Sequence, residues 1–152
     1  MILHITCEIR HNVKIGGYTA VDGKNRLTLM DESENQIDTY TADVLWSGSG
    51  SPYPTPPGGP WPTSFLPAHS RFGRCFFVHS DRESEIFIHF AQKKSYGCFI
   101  IKPDTLGRIF MDILIKNKDD LKVIHHNPVD NRSDKEKDEN VIDYLKMINK
   151  IT

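Results

Sequence analysis

A histidine and a cysteine stand nine positions apart in the stretch Ile86-Phe-Ile-His-Phe-Ala-Gln-Lys-Lys-Ser-Tyr-Gly-Cys-Phe-Ile-Ile101. Its flanks, Ile86–Phe90 and Cys98–Ile101, read as two apolar strands around a short polar loop. If both side chains point to one face of that strand–loop–strand unit, His89 and Cys98 come side by side. A thiol beside an imidazole is the minimal pair for covalent catalysis, in which the imidazole takes the proton and the thiolate attacks a carbonyl. Gly97, just before the cysteine, permits a sharp turn that brings backbone N–H groups of Tyr96, Gly97 and Cys98 toward a developing oxyanion. The competing reading is that an isolated cysteine in an apolar run is a core residue.

His79 is the rival base. It also ends an apolar run, Gly73–His79, and lies 19 positions before Cys98. The remaining histidines, His4, His11, His69, His125 and His126, are expected as surface or core residues. Cys7 and Cys75 are expected in strands. Three cysteines at irregular spacing make neither a disulfide framework nor a zinc signature.

The quartet Ser95-Tyr96-Gly97-Cys98, preceded by a strand ending in His89 and followed by another apolar strand, resembles the signature of the L,D-transpeptidases. That family's catalytic domain cross-links or trims peptidoglycan stem peptides, and its signature is a strand-borne His followed by Ser-x-Gly-Cys. The short His-to-Cys spacing looks most like the compact branch, which includes toxins delivered by type VI secretion systems. Ser47-Gly48 and Thr55-Pro56-Pro57-Gly58 also look like the family's Ser-Gly segment and Thr-Pro-x-Gly turn. Two positions depart from the common motif: Tyr96 stands where a second His occurs, and Ile100 where an Arg occurs.

The resemblance implies Cys98 as nucleophile, His89 as base, backbone donors at Tyr96 and Gly97, Ser95 in support, and no metal or organic cofactor. It implies a peptidoglycan stem peptide as substrate and, for a delivered antibacterial effector, an immunity or secretion partner protein. It covers residues 15–125. Transpeptidase and carboxypeptidase outcomes both stay open, as do a non-catalytic β-rich cell-wall-binding or secretion- or phage-associated module and a cytosolic cysteine peptidase.

The elements that must position such a pair read as mainly β. The expected architecture is an antiparallel sheet or sandwich of the L,D-transpeptidase type, with one packed helix and a C-terminal helix. Ile2–Glu8 and Val13–Ile15 lean β, and Gly16-Gly17 breaks them. Asp22-Gly23-Lys24-Asn25 reads as a turn between strands Tyr18–Val21 and Arg26–Met30, and Asp31–Asn35 as another. Ile37–Leu45 leans β again, then a run with five prolines and four glycines lies between Gly48 and Pro60. Anchored by Trp46, Tyr53 and Trp61, that run reads as an ordered loop walling a cleft. Thr63–Leu66 and Gly73–His79 follow as strands.

Leu106, Ile109, Phe110, Ile113 and Leu114 fall at i, i+3, i+4, i+7 and i+8, which predicts an amphipathic helix begun by Pro103 and Asp104. Leu121–Ile124 closes the sheet. A domain of residues 1–127 is thus expected, with a charged tail, residues 128–152, mobile over 129–140. The tail ends in a short helix that packs Ile142, Leu145 and Ile148 or binds a partner.

Composition bounds the rest. The chain has 152 residues, 38% hydrophobic and 26% charged, with a net charge of −1. That charge makes no electrostatic case for nucleic acid or an anionic membrane surface. No apolar run approaches a bilayer span, and the start lacks the pattern of a secretory leader. Synthesis in the cytoplasm followed by another export route to a bacterial periplasm is the corresponding expectation.

Overall fold

The computed structural model describes residues 1–47, 55–81, 85–92, 94–95 and 98–151. The chain is mainly β. Its strands are β1 (Ile2–Ile15), β2 (Tyr18–Met30), β3 (Gln36–Ser47), β4 (Gly58–His69), β5 (Gly73–Val78), β6 (Ile86–Phe90), β7 (Lys94–Ser95), β8 (Phe99–Ile101), β9 (Lys122–His125) and β10 (Val129–Asp130). Two helices, α1 (Thr105–Lys116) and α2 (Asp134–Ile151), complete it.

One sheet runs in the order β7-β3-β2-β1-β9-β4-β5-β6-β8, with β10 beside β1, and nearly closes into a barrel. The sheet is mixed rather than antiparallel: β1 pairs with β9 and β10 in parallel, β3 with β7, and β6 with β8. Alternation along each strand sends one set of side chains inward. Leu3, Ile5 and Ile9 meet Leu27, Leu29, Ala42, Val44, Trp61, Phe76, Ile88, Phe99 and Val123 in a single core.

Asp22-Gly23-Lys24-Asn25 is not a turn but the middle of β2. Every one of these residues is paired on both sides, Gly23 with Ile9 of β1 and Val44 of β3. Arg10 fastens the segment: its Nη2 donates to Asp22 Oδ1 at 3.0 Å, to the Gly23 carbonyl at 3.1 Å and to Asp43 Oδ1 at 3.1 Å. Local turn chemistry yields here to two flanking strands. The reversal falls at Gly16-Gly17, with Gly16 at φ +58°. Asp31–Asn35 does turn, with Asp31 Oδ1 accepting from the Ser33 and Asn35 amides, each at 2.9 Å.

Helix α1 starts where expected, with Asp104 capping it through Oδ1 to the Gly107 amide at 2.8 Å. Its buried face is different: Gly107, Phe110, Met111 and Leu114 face the sheet, while Leu106 is 71% and Ile109 51% exposed. Gly107 sets this rotation, because a Cβ there would lie 1.8 Å from the Lys102 carbonyl. Phe110 then stacks on Tyr40, whose hydroxyl accepts the Lys102 amide at 2.9 Å.

The C-terminal segment is attached to the sheet where its charge predicts mobility. β10 pairs with β1, and α2 begins at a reciprocal box in which Ser133 Oγ accepts from the Glu136 amide and Glu136 Oε1 accepts from the Ser133 amide, both at 3.2 Å. The helix docks by its polar face. Asn140 Nδ2 donates to the Thr19 carbonyl at 3.2 Å, Asp143 accepts from Thr19 Oγ1, and Glu136 Oε2 accepts from the Asn12 amide at 3.0 Å. Ile142 and Leu145, expected to pack, are half exposed. The Ile148 side chain lies outside those described. Among the described residues no helix is long and apolar enough to cross a membrane.

Candidate active site

β5, β6 and β8 build the face that carries the sequence-predicted pair. Cys75 of β5 stands opposite His89 of β6, and His89 stands opposite Ile100 of β8. Paired residues share a face, so Cys75, His89 and Ile100 project to the side opposite Phe76 and Ile88. Continuing the β8 register back by one residue sets Cys98 level with Phe87, one strand over and two positions along from His89. Alternation assigns Cys98 to the same face as Ile100. Cys98 is half-buried, and it lies near enough to Cys75 to raise that thiol's pKa, the second cause after burial. Cys7, Cys75 and Cys98 form no disulfide.

His89 is 6% exposed. Its Nδ1 lies 2.8 Å from the Phe90 carbonyl, an acceptor, so Nδ1 carries the proton in that bond. Burial lowers the pKa of the imidazole, with Arg71 and His69 adding to the effect and the Phe90 bond opposing it. A neutral ring with Nδ1–H has its lone pair on Nε2, which is the form a general base requires.

The hairpin between β4 and β5 curls over this face. Phe72 stacks on His89 with ring centroids 4.0 Å apart, and also meets Phe87 and His69. His69 Nδ1 accepts the Arg71 and Phe72 amides at 3.1 and 3.2 Å, which holds the turn in shape.

His79, the alternative base, is the continuation of β5 and lies two strands from β8. Its Nε2 is 2.7 Å from Ser64 Oγ, and its ring meets the edge of Phe77. The structure brings it to Ser64. Ser95 lies in β7, paired with Trp46 of β3. Tyr96 and Gly97, the expected oxyanion donors, lie outside the described residues, as does the start of the Pro/Gly-rich loop. The end of that loop is described: Thr55, Pro56 and Pro57 line a cavity of about 130 Å³ with Trp61, Ser80 and Asp81.

A second thiol–imidazole pair, which the sequence does not announce, lies inside the barrel. Cys7 Sγ is 3.3 Å from His125 Nε2 and donates to Asn25 Oδ1 at 2.8 Å. His125 Nδ1 lies 3.0 Å from the Pro56 carbonyl. Burial pushes the Cys7 thiol up to about 12 and the His125 pKa down, so both partners stay neutral. The network ties β1, β2 and β9 to the Thr55–Gly58 turn rather than presenting a thiolate. A separation of 118 positions between Cys7 and His125 hides the pairing, which only the parallel β1–β9 ladder creates.

Among the described residues no group of three or more His, Cys, Asp or Glu side chains is arranged to hold a metal ion. The chain matches no protein-family model, no curated protein and no solved structure.

Proposed function

We propose that the chain is a cysteine acyl-transfer enzyme of the L,D-transpeptidase kind, acting on peptidoglycan stem peptides through Cys98 and His89. The observation that carries this reading is the state of His89. It is a buried neutral imidazole anchored through Nδ1 to the Phe90 carbonyl, one strand from a half-buried cysteine on the same face.

In this reading His89 Nε2 takes the Cys98 thiol proton and the sulfur attacks the carbonyl beside a D-centre. Backbone N–H groups around Tyr96, Gly97 and Cys98 hold the oxyanion, each worth about 3 kcal/mol in the transition state. Collapse expels the amine, which leaves with the proton from His89. Water or a second amine then releases the acyl group, giving carboxypeptidase or transpeptidase products.

Incubation with purified muropeptides, followed by mass spectrometry, tests the reading. Wild-type protein should shorten or cross-link stem peptides and Cys98→Ala should do neither while keeping its fold. Turnover by Cys98→Ala overturns it. One observation favours a rival, a non-catalytic β-rich module: His89 is covered by Phe72 as a packed core ring would be. A packing role predicts that His89→Phe keeps every property of the protein, whereas a base predicts lost turnover.

A further inference from the structure

His4 and His126 meet at the seam between β1 and β9, neither of which carries the Cys98–His89 pair. His4 stands level with Thr28 of β2 and Ile124 of β9. His126 follows β9 directly, and its amide donates to the Ile5 carbonyl at 2.9 Å, extending the parallel ladder by one rung. His4 Nδ1 lies 2.8 Å from His126 Nε2, with ring centroids 5.1 Å apart and 14° between the planes. Each nitrogen sits on the rim of its own ring, so 5.1 Å is about the largest centroid separation that a 2.8 Å contact permits. The rings therefore lie edge to edge in nearly one plane, with the two nitrogens aimed at each other. That is the alignment of an N–H···N hydrogen bond. A metal ion would need about 2 Å to each nitrogen, and a line of 2.8 Å has no room for it.

We propose that His4 and His126 form a proton-sharing clasp that holds the β9–β10 crossover on β1 and opens when both imidazoles are protonated. With both rings neutral, one facing nitrogen donates and the other accepts. With one ring charged the same bond persists and becomes charge-assisted. A second proton puts N–H on both facing nitrogens, so the bond is lost and two cations stand at contact distance. Burial and the charge of His126 disfavour the cation on His4, Glu34 in the turn after β2 favours it, and the net direction is a lowered pKa. At the opposite and diagonal positions neither strand offers a carboxylate: β2 presents Thr28 and Arg26, β9 presents Ile124 and Lys122. His126 also acts on its neighbour, lowering the pKa of the buried His125. His4 holds its proton more weakly folded than unfolded, so the stability due to the clasp is present above the ordinary value of 6.5 and lost as pH falls below it. Beyond His126 the chain crosses to β10, where Val129 pairs with Glu8. Opening thus bears first on the Ile5 rung and the crossover behind it, the stretch that leads into α2.

Nitrogen NMR of the histidine side chains in the full chain, titrated from about pH 8 to about pH 4, tests the clasp. His4 and His126 should titrate as a coupled pair, in two macroscopic steps at least about one unit apart. Hydrogen exchange, expressed as protection so that its intrinsic pH dependence cancels, should show the His126 amide losing about tenfold protection across the second step. The Leu27 amide, inside the β1–β2 ladder, should keep its protection over the same range. In His126→Ala the His4 ring should titrate in one step nearer 6.5, and the amide at position 126 should lose its pH dependence. Two independent titrations at one common pKa, or protection of the His126 amide that is unchanged through the second step, overturns the clasp. The wild-type measurements decide by themselves, so a variant that fails to fold does not rescue the idea.

Discussion

Phe72 and His89 stack with ring centroids 4.0 Å apart and 20° between their planes, the closest ring pair among the described residues. The two come from different layers, His89 from β6, which is paired on both sides, and Phe72 from the hairpin that folds over it. Phe72 thus covers one face of a ring whose burial lowers its pKa.

Phe72→Ala should relieve that burial and raise the His89 pKa toward its ordinary value of 6.5. A base works in its neutral form, so activity falls as pH drops through this pKa. The acid limb of the kcat/KM profile should accordingly move to higher pH in Phe72→Ala. An unmoved limb would show that Phe72 does not govern His89.

Iodoacetamide at neutral pH should modify native protein at Cys98 and leave Cys7 and Cys75 untouched. Cys7 is 2% exposed with its thiol pushed up to about 12, and Cys75 is 0% exposed. Peptide mapping after alkylation, with and without urea, reads this directly. Native labelling of Cys7 ahead of Cys98 would contradict the neutral buried network around His125.

Gly107→Ala trades a favourable helix propensity of about 1 kcal/mol for a collision with the Lys102 carbonyl. Backbone cannot yield as a side-chain tip does, so the substitution should destabilise the protein by about 3 kcal/mol. Urea unfolding measures it. A gain in stability would mean that α1 does not approach the sheet at this point.

Arg132→Ala removes a guanidinium whose Nε and Nη2 meet Asp130 at 3.0 and 2.8 Å and whose Nη1 meets Asn12 at 3.3 Å. Because the Asp130 carboxylate keeps some solvent contact, the loss should be about 2 kcal/mol rather than the larger cost of a sealed pair. Arg132→Lys should recover less than half, since one ammonium cannot replace the fork. Proteolysis ahead of α2 should accelerate in step. If the C-terminal segment were independent of the sheet, neither variant would shift the unfolding midpoint.

Local chemistry decides some of this molecule and distant pairing decides the rest. The reversal at Asp31–Asn35, the strand Ile86–Phe90 and the cap at Asp104 are legible because each depends on residues within four positions. The box Ser133-Asp-Lys-Glu136 is equally local and announces the start of α2, although the surrounding charge run masks it. Asp22–Asn25 misleads because turn propensity of a few tenths to about 1 kcal/mol is weaker than ladders on both sides of β2.

The stripe of α1 misleads for a related reason: five apolar residues define a face, but one glycine contact rotates it. For the candidate site, His89 and Cys98 can be named from nine positions of sequence. The covering of His89 by Phe72 and the joining of Cys7 to His125 cannot. Those contacts connect residues up to 118 apart, and no period or motif within either segment encodes which strands become neighbours. Residue types and short-range spacing thus determined what chemistry the chain can offer. Closure of the sheet decided which groups are neutral, which are covered and which stay exposed, because burial and charge separation exist only once the strands are paired.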